Sequence, residues 1–293
     1  MLPERSPNLS SDSDSRLEPV REIQIGAGAN PKGEMTQKTV HHRVGIAVLA
    51  SDMTTEREMR HLMPATIDTY VTRVDHPDGI TEEILPHAEK HLESAVRLLR
   101  PIRPEVVVWS CTSSGFLKGK SGNAALERRL EDASGATALT PATAIVDSMQ
   151  ATGARRVAVL TPYSHFVNAR LEAFLREWDF EVVSMRQMFG ERILRDFDLQ
   201  TTDRKTRFEA YLRGDEPEAD LLLISCTGLL TVDVVGQLET RLGKPVLSSN
   251  LATAYAIFQY LKEPPVKAIG SRLLSTLAKR PVPLVLERSA SKR

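Results

Sequence analysis

Short apolar runs recur along the chain, and two of them end in the same tripeptide. Residues 106–109 and 221–224 are apolar at every position, and each run is followed by Ser-Cys-Thr. The cysteines of these tripeptides, Cys111 and Cys226, are the only two among 293 residues. A short run that is apolar throughout is typical of a strand buried on both faces. We therefore predict two equivalent buried strands, each ending at a thiol.

Helical patterns alternate with the apolar runs. Further runs begin at Arg43 and Arg156, and apolar residues at helical spacing follow in residues 81–99, 164–178 and 231–242. A loop rich in Gly, Ser and Lys is expected after the first Ser-Cys-Thr. Strands that alternate with helices predict an α/β fold in which parallel sheets are covered by helices on both faces.

The alternation is itself repeated, because the Arg-Val start at Arg43 recurs at Arg156 and an Ala-Thr-Ala triplet follows each cysteine. We therefore expect two pseudo-symmetric lobes, each a parallel sheet flanked by helices, with the active site in the cleft between them. The expected organisation is a disordered N-terminal extension at residues 1–40, lobe 1 at 41–150, lobe 2 at 151–250, and C-terminal helices at 251–285 that pack back on lobe 1.

Composition argues against several classes of function. The 38 Lys and Arg balance 38 Asp and Glu, so a basic surface for nucleic acid is not indicated. No apolar run approaches the roughly 20 residues that a membrane span needs, and the N-terminal residues lack the apolar segment of a secretory signal. Two cysteines in such a chain indicate free thiols in a reducing compartment. We expect a cytoplasmic protein with neither nucleic-acid nor membrane partners.

Polar residues follow the ends of the predicted strands, which is the edge where ligands bind in parallel α/β sheets. The candidate binding residues are Asp52 after the first strand, Thr112, Ser113 and Ser114 beside the first cysteine, Tyr163 after the strand that begins at 156, Thr227 and Gly228 beside the second cysteine, and Asn250 after the last strand. A thiol at such a strand end lies near unpaired N–H groups, which favour the thiolate.

Each candidate also has a structural interpretation. A strand cysteine is often inert packing, although the recurrence of one tripeptide at both cysteines favours a functional pair. Taken alone, Tyr163 or Asn250 could make a core hydrogen bond, and Asp52 could cap the helix that follows it. No metal-ligand spacing, nucleotide-binding glycine motif or Cys-X-X-Cys pair occurs, so we expect no metal and no cofactor.

Together these residues resemble the aspartate/glutamate racemase superfamily, and most closely its maleate isomerase and arylmalonate decarboxylase branch. The likeness covers residues 43–261 and rests on both Ser-Cys-Thr tripeptides, on Thr161-Pro162-Tyr163 and on residues 243–250. Residues 48–58 are similar to one sub-branch, the EutA proteins found with ectoine and hydroxyectoine utilisation.

The resemblance implies cofactor-free chemistry on a small carboxylate held between two thiols. In a racemase, one thiolate removes the α-proton and the other thiol protonates the opposite face. In a maleate isomerase the first-lobe thiolate, here Cys111, adds to the double bond and the second thiol, here Cys226, acts as an acid. Decarboxylases of the branch keep only the second-lobe cysteine, so the presence of both favours an isomerase or racemase.

Three departures from the branch bear on the substrate. Maleate isomerases carry Asn where this chain has Asp52, glutamate racemases carry His where it has Gly228, and residues 189–192 replace an Asn-rich segment. A carboxylate at residue 52 would repel a dicarboxylate and could pair with an ammonium or amidine-like group. We therefore predict a racemase or epimerase-type isomerase acting on a small nitrogen-bearing carboxylate, in ectoine or hydroxyectoine utilisation.

Two alternatives to this prediction stay open. One is a maleate-type cis–trans isomerase that works through covalent addition of Cys111, and the other is a non-catalytic ligand-binding protein on the same scaffold. A homodimer or a higher homo-oligomer is also left open.

Overall fold

The structure, a computed structural model, describes residues 41–76, 84–190, 192–265 and 269–277. The extension predicted at residues 1–40 lies outside these ranges. So do residues 81–83, at the start of one expected helix, and residues 278–285, at the end of the expected C-terminal helices. No helix within the described ranges is long and apolar enough to span a membrane.

The first half of the chain forms a four-stranded parallel sheet with the strand order β2-β1-β3-β4. Its strands are β1 (His42–Leu49), β2 (Ile67–Val74), β3 (Val106–Ser110) and β4 (Thr137–Leu139). Its helices are α1 (Thr55–Leu62), α2 (Ile84–Arg97), α3 (Thr112–Phe116), α4 (Gly119–Ser134) and α5 (Pro141–Thr152), with a 3-10 turn at Arg100–Ile102.

The second half forms an equivalent parallel sheet with the order β6-β5-β7-β8. Its strands are β5 (Arg156–Thr161), β6 (Glu181–Gln187), β7 (Leu221–Ile224) and β8 (Val246–Ser248). Its helices are α6 (His165–Arg176), α7 (Asp196–Gln200), α8 (Arg204–Arg213), α9 (Val235–Leu242), α10 (Ser249–Leu261) and α11 (Arg272–Leu277). The strand order relative to the chain is the same in both sheets, which confirms the predicted fold class.

Alternate residues of the central strands face opposite helical layers. In β3, Val106 and Val108 belong to an apolar cluster that includes residues of α1 and α5, whereas Val107 and Trp109 belong to a cluster with α2 and α4. The sheet is covered on both faces, which explains why these strand positions are apolar. The first cluster continues through β5 and β7, so one core joins the two sheets.

Helices α5 and α10 both begin directly after a strand and pack against each other. Each is capped by a hydroxyl: Thr140 Oγ1 accepts a hydrogen bond from the Thr143 N–H, and Ser248 Oγ accepts one from the Leu251 N–H, both at 3.3 Å. The expected loop after Cys111 is wrong, because residues 112–116 form the short buried helix α3 and the Gly, Ser and Lys residues from Gly119 onward form the first turn of α4. A polar, Gly-containing sequence is compatible with one helical turn when its neighbours bury it.

Candidate active site

A pocket opens at the carboxyl ends of strands from both sheets. Ligands of parallel α/β proteins bind at this edge. Its lining comprises Leu49, Ser51, Asp52, Cys111, Thr112, Ser113, Tyr163, Asp196, Leu199, Gln200, Cys226, Thr227 and Gly228. Both thiols and six of the eight predicted binding residues therefore lie around one pocket.

Cys111 is the residue between β3 and α3, and only 3% of it is exposed. Its Sγ accepts a hydrogen bond from Ser114 Oγ at 3.3 Å, and Ser113 Oγ lies 3.6 Å away. Burial raises the pKa of Cys111, the bonds from Ser114 and Ser113 lower it, and the charge of Asp196 raises it further. Because burial has the largest effect, the thiol is protonated at rest.

Cys226 occupies the equivalent place after β7. Its Sγ accepts a hydrogen bond from the Gly228 N–H at 3.4 Å. Burial raises the pKa of Cys226 to about 12. The hydrogen bond from the Gly228 N–H lowers this pKa, and the charge of Asp196 raises it. Each sulfur thus has local donors that would stabilise a thiolate, but neither thiol ionises readily in the free protein.

Hydroxyl groups surround the sulfurs and connect the two halves of the chain. Thr227 Oγ1 donates to the Ser110 carbonyl at 3.2 Å, and Thr112 Oγ1 donates to Ser249 Oγ at 2.9 Å. Burial raises the pKa of Tyr163 well above its ordinary range, and negative charge on either sulfur, once it is ionised, would raise this pKa further. Tyr163 therefore keeps its proton and can act as a donor into the pocket.

Asp52 both lines the pocket and supports the start of α1. Its Oδ1 accepts hydrogen bonds from the N–H groups of Thr54 and Thr55 at 2.8 Å each, and its Oδ2 accepts one from Thr55 Oγ1 at 2.7 Å. Burial raises the pKa of Asp52, and these bonds lower it. The structural and functional interpretations of this residue are thus compatible.

Two predicted residues lie behind the lining. Ser114 donates a hydrogen bond from Oγ to Cys111 Sγ, as described above. Asn250, in the first turn of α10, donates from Nδ2 to the Thr227 carbonyl at 2.9 Å and to Glu58 Oε2 at 2.8 Å. Both residues therefore reach the pocket only through a neighbour.

Five lining residues were not predicted as site residues from the sequence: Leu49, Ser51, Asp196, Leu199 and Gln200. Gln200 joins α7 to the end of β1, since its Nε2 donates to the Ser51 carbonyl at 3.0 Å and its Oε1 accepts from the Met53 N–H at 2.6 Å. Asp196 Oδ2 accepts a hydrogen bond from Ser51 Oγ at 2.5 Å. Asp196 and Gln200 do not follow an apolar strand, so the strand-end criterion cannot find them.

Glu58 was also missed, because it lies within the pattern of helix α1. Its carboxylate accepts hydrogen bonds from the N–H groups of Thr231 and Val232 at 2.5 and 2.8 Å, in the segment that follows Cys226. Burial raises the pKa of Glu58, and these N–H groups lower it. A side chain of the first half thus fixes the loop that carries the second thiol.

The charged side chains that line the pocket, among the described residues, are all acidic. Among the described residues that line it, Asp52 and Asp196 are acidic and none is Lys or Arg. Within the part of the chain that the structure describes, no group of three or more His, Cys, Asp or Glu side chains could hold a metal ion. The arrangement is suited to proton transfer or nucleophilic attack by sulfur, with hydroxyl and amide donors close by.

Comparison with known proteins gives the family. The arylmalonate decarboxylase family model matches residues 78–274. The chain is 35% identical over 177 residues to the arylmalonate decarboxylase of Bordetella bronchiseptica, covering 60% of this chain and 69% of that protein. It is 26% identical over 242 residues to a maleate isomerase of Nocardia farcinica, covering 79% of this chain and 95% of that protein.

A solved structure agrees with this result. It is a Nocardia farcinica maleate cis-trans isomerase, a cysteine-to-serine mutant with a covalently bound succinylcysteine intermediate. It superposes with a TM-score of 0.73 at 25% identity over 80% of this chain and 98% of that one. The chain belongs to the arylmalonate decarboxylase family. The resemblance to the maleate isomerase and arylmalonate decarboxylase branch is confirmed, and the relatives named here are enzymes.

Proposed function

We propose that the protein is a cofactor-independent isomerase of racemase or epimerase type that acts on a small, nitrogen-bearing carboxylate. The observation that carries this proposal is the presence of Cys111 and Cys226, from equivalent strands of two sheets, in the lining of one pocket. A racemase needs a base and an acid that reach the same carbon, and a pair of like groups can exchange these roles between the two enantiomers.

The proton balance is simple. One thiolate removes the α-proton, which leaves a carbanion conjugated with the substrate carboxylate, and the other thiol donates its proton to that carbon. The Ser113 hydroxyl and the neutral Tyr163 hydroxyl line the pocket and would donate to the charge that develops on the carboxylate. After turnover the two sulfurs have exchanged protonation states, and solvent restores the first state.

The acidic lining supports the nitrogen-bearing substrate. Two buried carboxylates without a lining Lys or Arg disfavour a dianion and favour a ligand that carries a cationic group. The similarity of residues 48–58 to the EutA proteins leads us to place this substrate in ectoine or hydroxyectoine utilisation.

Deuterium exchange tests the mechanism directly. In D₂O, the wild-type protein should introduce deuterium at the α-carbon of its substrate with inversion, as followed by NMR and chiral chromatography on a panel of amino carboxylates. Cys111→Ser and Cys226→Ser should each lose about 10²-fold or more of racemisation. Each variant should still exchange the α-hydrogen of the one enantiomer that faces its remaining thiol. Full racemisation by either variant would contradict the two-thiol mechanism.

A second candidate is cis–trans isomerisation of a maleate-like diacid. The succinylcysteine intermediate of the Nocardia farcinica structure favours it, as do the two thiols of this chain. Here the Cys111 thiolate would add to one alkene carbon while the Cys226 thiol protonates the other, and the resulting single bond would rotate. The Cys226 thiolate would then remove that proton as the C–S bond breaks, which forms the trans alkene and regenerates the Cys111 thiolate. Incubation of Cys226→Ser with maleate should then leave an adduct on Cys111 in the intact-protein mass spectrum. Deuterium exchange without such an adduct favours the racemase.

A further inference from the structure

Asp196 has one carboxylate oxygen that accepts no hydrogen bond from the described residues. The residue is 6% exposed and reaches the pocket from α7. Its Oδ2 accepts the Ser51 hydroxyl proton at 2.5 Å, whereas no described residue donates a hydrogen bond to its Oδ1. Asp52 differs, because its two oxygens already accept three hydrogen bonds from the turn that begins α1.

Ser51 and His76 hold Asp196 in place from behind. Ser51 Oγ lies 2.9 Å from His76 Nε2, and His76 Nε2 lies 4.0 Å from Asp196 Oδ2. Since Ser51 donates its own proton to the carboxylate, its oxygen accepts one from His76 Nε2. This order differs from a hydrolytic triad, in which the acid contacts the other ring nitrogen. The cluster therefore orients a carboxylate and does not activate a serine.

The charge of Asp196 acts on both sulfurs. After burial, which is the largest cause, this charge contributes to raising the pKa of Cys111 and of Cys226. The other ionisable groups facing the thiols from the pocket lining are Asp52 and Tyr163. A cation bound at Asp196 would cancel the charge that opposes ionisation of either sulfur.

We propose that Asp196 is the specificity-determining residue that binds a protonated nitrogen of the substrate through Oδ1, and that this binding prepares the thiols for proton transfer. The inference rests on the proposed function and deepens it by assigning the substrate class to α-amino carboxylates and related ammonium-bearing acids. A deaminated analogue or a diacid supplies no cation, so it leaves the sulfurs in their resting, protonated form. Substrate recognition and thiol ionisation are thereby coupled at one carboxylate.

The test compares Asp196→Asn with Asp198→Asn, an exposed acid two residues further along the same helix. The first readout is the rate of iodoacetamide alkylation at each cysteine against pH, followed by mass spectrometry. For Asp196→Asn the profile should move to lower pH, and a shift of one unit makes alkylation about tenfold faster at a fixed pH below the midpoint. Asp198→Asn should follow the wild-type profile.

The second readout is protection of the thiols from iodoacetamide by 2-aminobutyrate and by 2-hydroxybutyrate, which differ in the ammonium group. The wild type and Asp198→Asn should be protected by 2-aminobutyrate at about tenfold lower concentration than by 2-hydroxybutyrate. Asp196→Asn should lose this preference while keeping the wild-type melting temperature within a few degrees.

Three results would overturn the proposal: equal or absent protection by the two probes in the wild type, a preference that survives in Asp196→Asn, or an alkylation profile of Asp196→Asn that does not move to lower pH.

Failure of the proposed function would give different results. If the preference depends on Asp196 but no amino carboxylate exchanges its α-hydrogen in D₂O, the ammonium subsite stands and the racemase does not. If the wild type and Asp196→Asn deuterate amino carboxylates with equal KM, the racemase stands and the subsite does not.

Discussion

Replacing Asp147 with Asn should stabilise the protein in a strongly pH-dependent way. Asp147 lies on α5 and is 8% exposed, and its Oδ1 has no hydrogen-bond partner. Burial, and then the charge of Glu127, raises the pKa of Asp147 to about 7. Glu127 is itself buried and already accepts hydrogen bonds from Thr143 Oγ1 at 2.7 Å and Thr140 Oγ1 at 3.2 Å. The fold therefore tolerates Asp147 best as a neutral acid.

The sign and size follow from proton linkage. The pKa of Asp147 is about 7 when folded against 3.8 for the ordinary group, so its contribution to stability is complete below pH 3.8 and is lost as pH rises through 7. That difference of about three pKa units corresponds to about 4 kcal/mol. Asn at this position is neutral throughout. The free energy of unfolding should thus change little at pH 4 and rise by up to about 4 kcal/mol at pH 8 on substitution.

Urea denaturation of the wild type and of Asp147→Asn, at intervals from pH 4 to pH 8, measures this difference. Asp220→Asn is the matched control with the opposite sign, because the N–H groups of Arg156 and Arg155 lower the pKa of Asp220. That carboxylate contributes stability above its unfolded pKa and loses it as pH falls through the folded value. An Asp147→Asn effect of equal size at pH 4 and pH 8, or a loss of stability at pH 8, would refute the reasoning.

Two further substitutions test the packing around the site. Glu58→Ala should lower the free energy of unfolding by about 1–3 kcal/mol and reduce kcat, because the buried N–H groups of Thr231 and Val232 lose their acceptor. A thermal melt and a turnover assay measure the two effects. An unchanged kcat would show that the loop after Cys226 does not depend on Glu58. Gly115→Ala should cost about 1–3 kcal/mol, because its Cβ would lie 2.6 Å from that of Ala142; a melting temperature equal to that of wild type would contradict this close packing.

The strands could be predicted because their physical cause is visible in single runs of residues. Strands β3 and β7 are apolar at nearly every position since helices cover both faces of each sheet. Helix α8 was not predicted, because Arg207 occupies its buried side, where an apolar residue is expected. The guanidinium is neutralised by Asp233, 3.0 Å away, and donates to the Leu230 carbonyl. Such compensation comes from residues distant in the sequence.

The same distinction applies to the site. The thiols could be predicted because one tripeptide marks both, and the residues that flank them follow the same two strands. Asp196 and Glu58 could not, because each matters through contacts with the other half of the chain: Asp196 with Ser51, and Glu58 with Thr231. Local patterns carry no signal for such contacts.

The burial of the two thiols also bears on how the protein withstands oxidants. Peroxide attacks the thiolate and converts it to sulfenic acid, so a sulfur that stays protonated is a poor target. Cys226, with its pKa near 12, and the shielded Cys111 are protected in this way while the pocket is empty. In the mechanism that we propose, a sulfur becomes vulnerable only while it is ionised, when bound substrate also obstructs access. In the presence of peroxide, the protein is thus expected to lose activity during turnover and to keep it during storage.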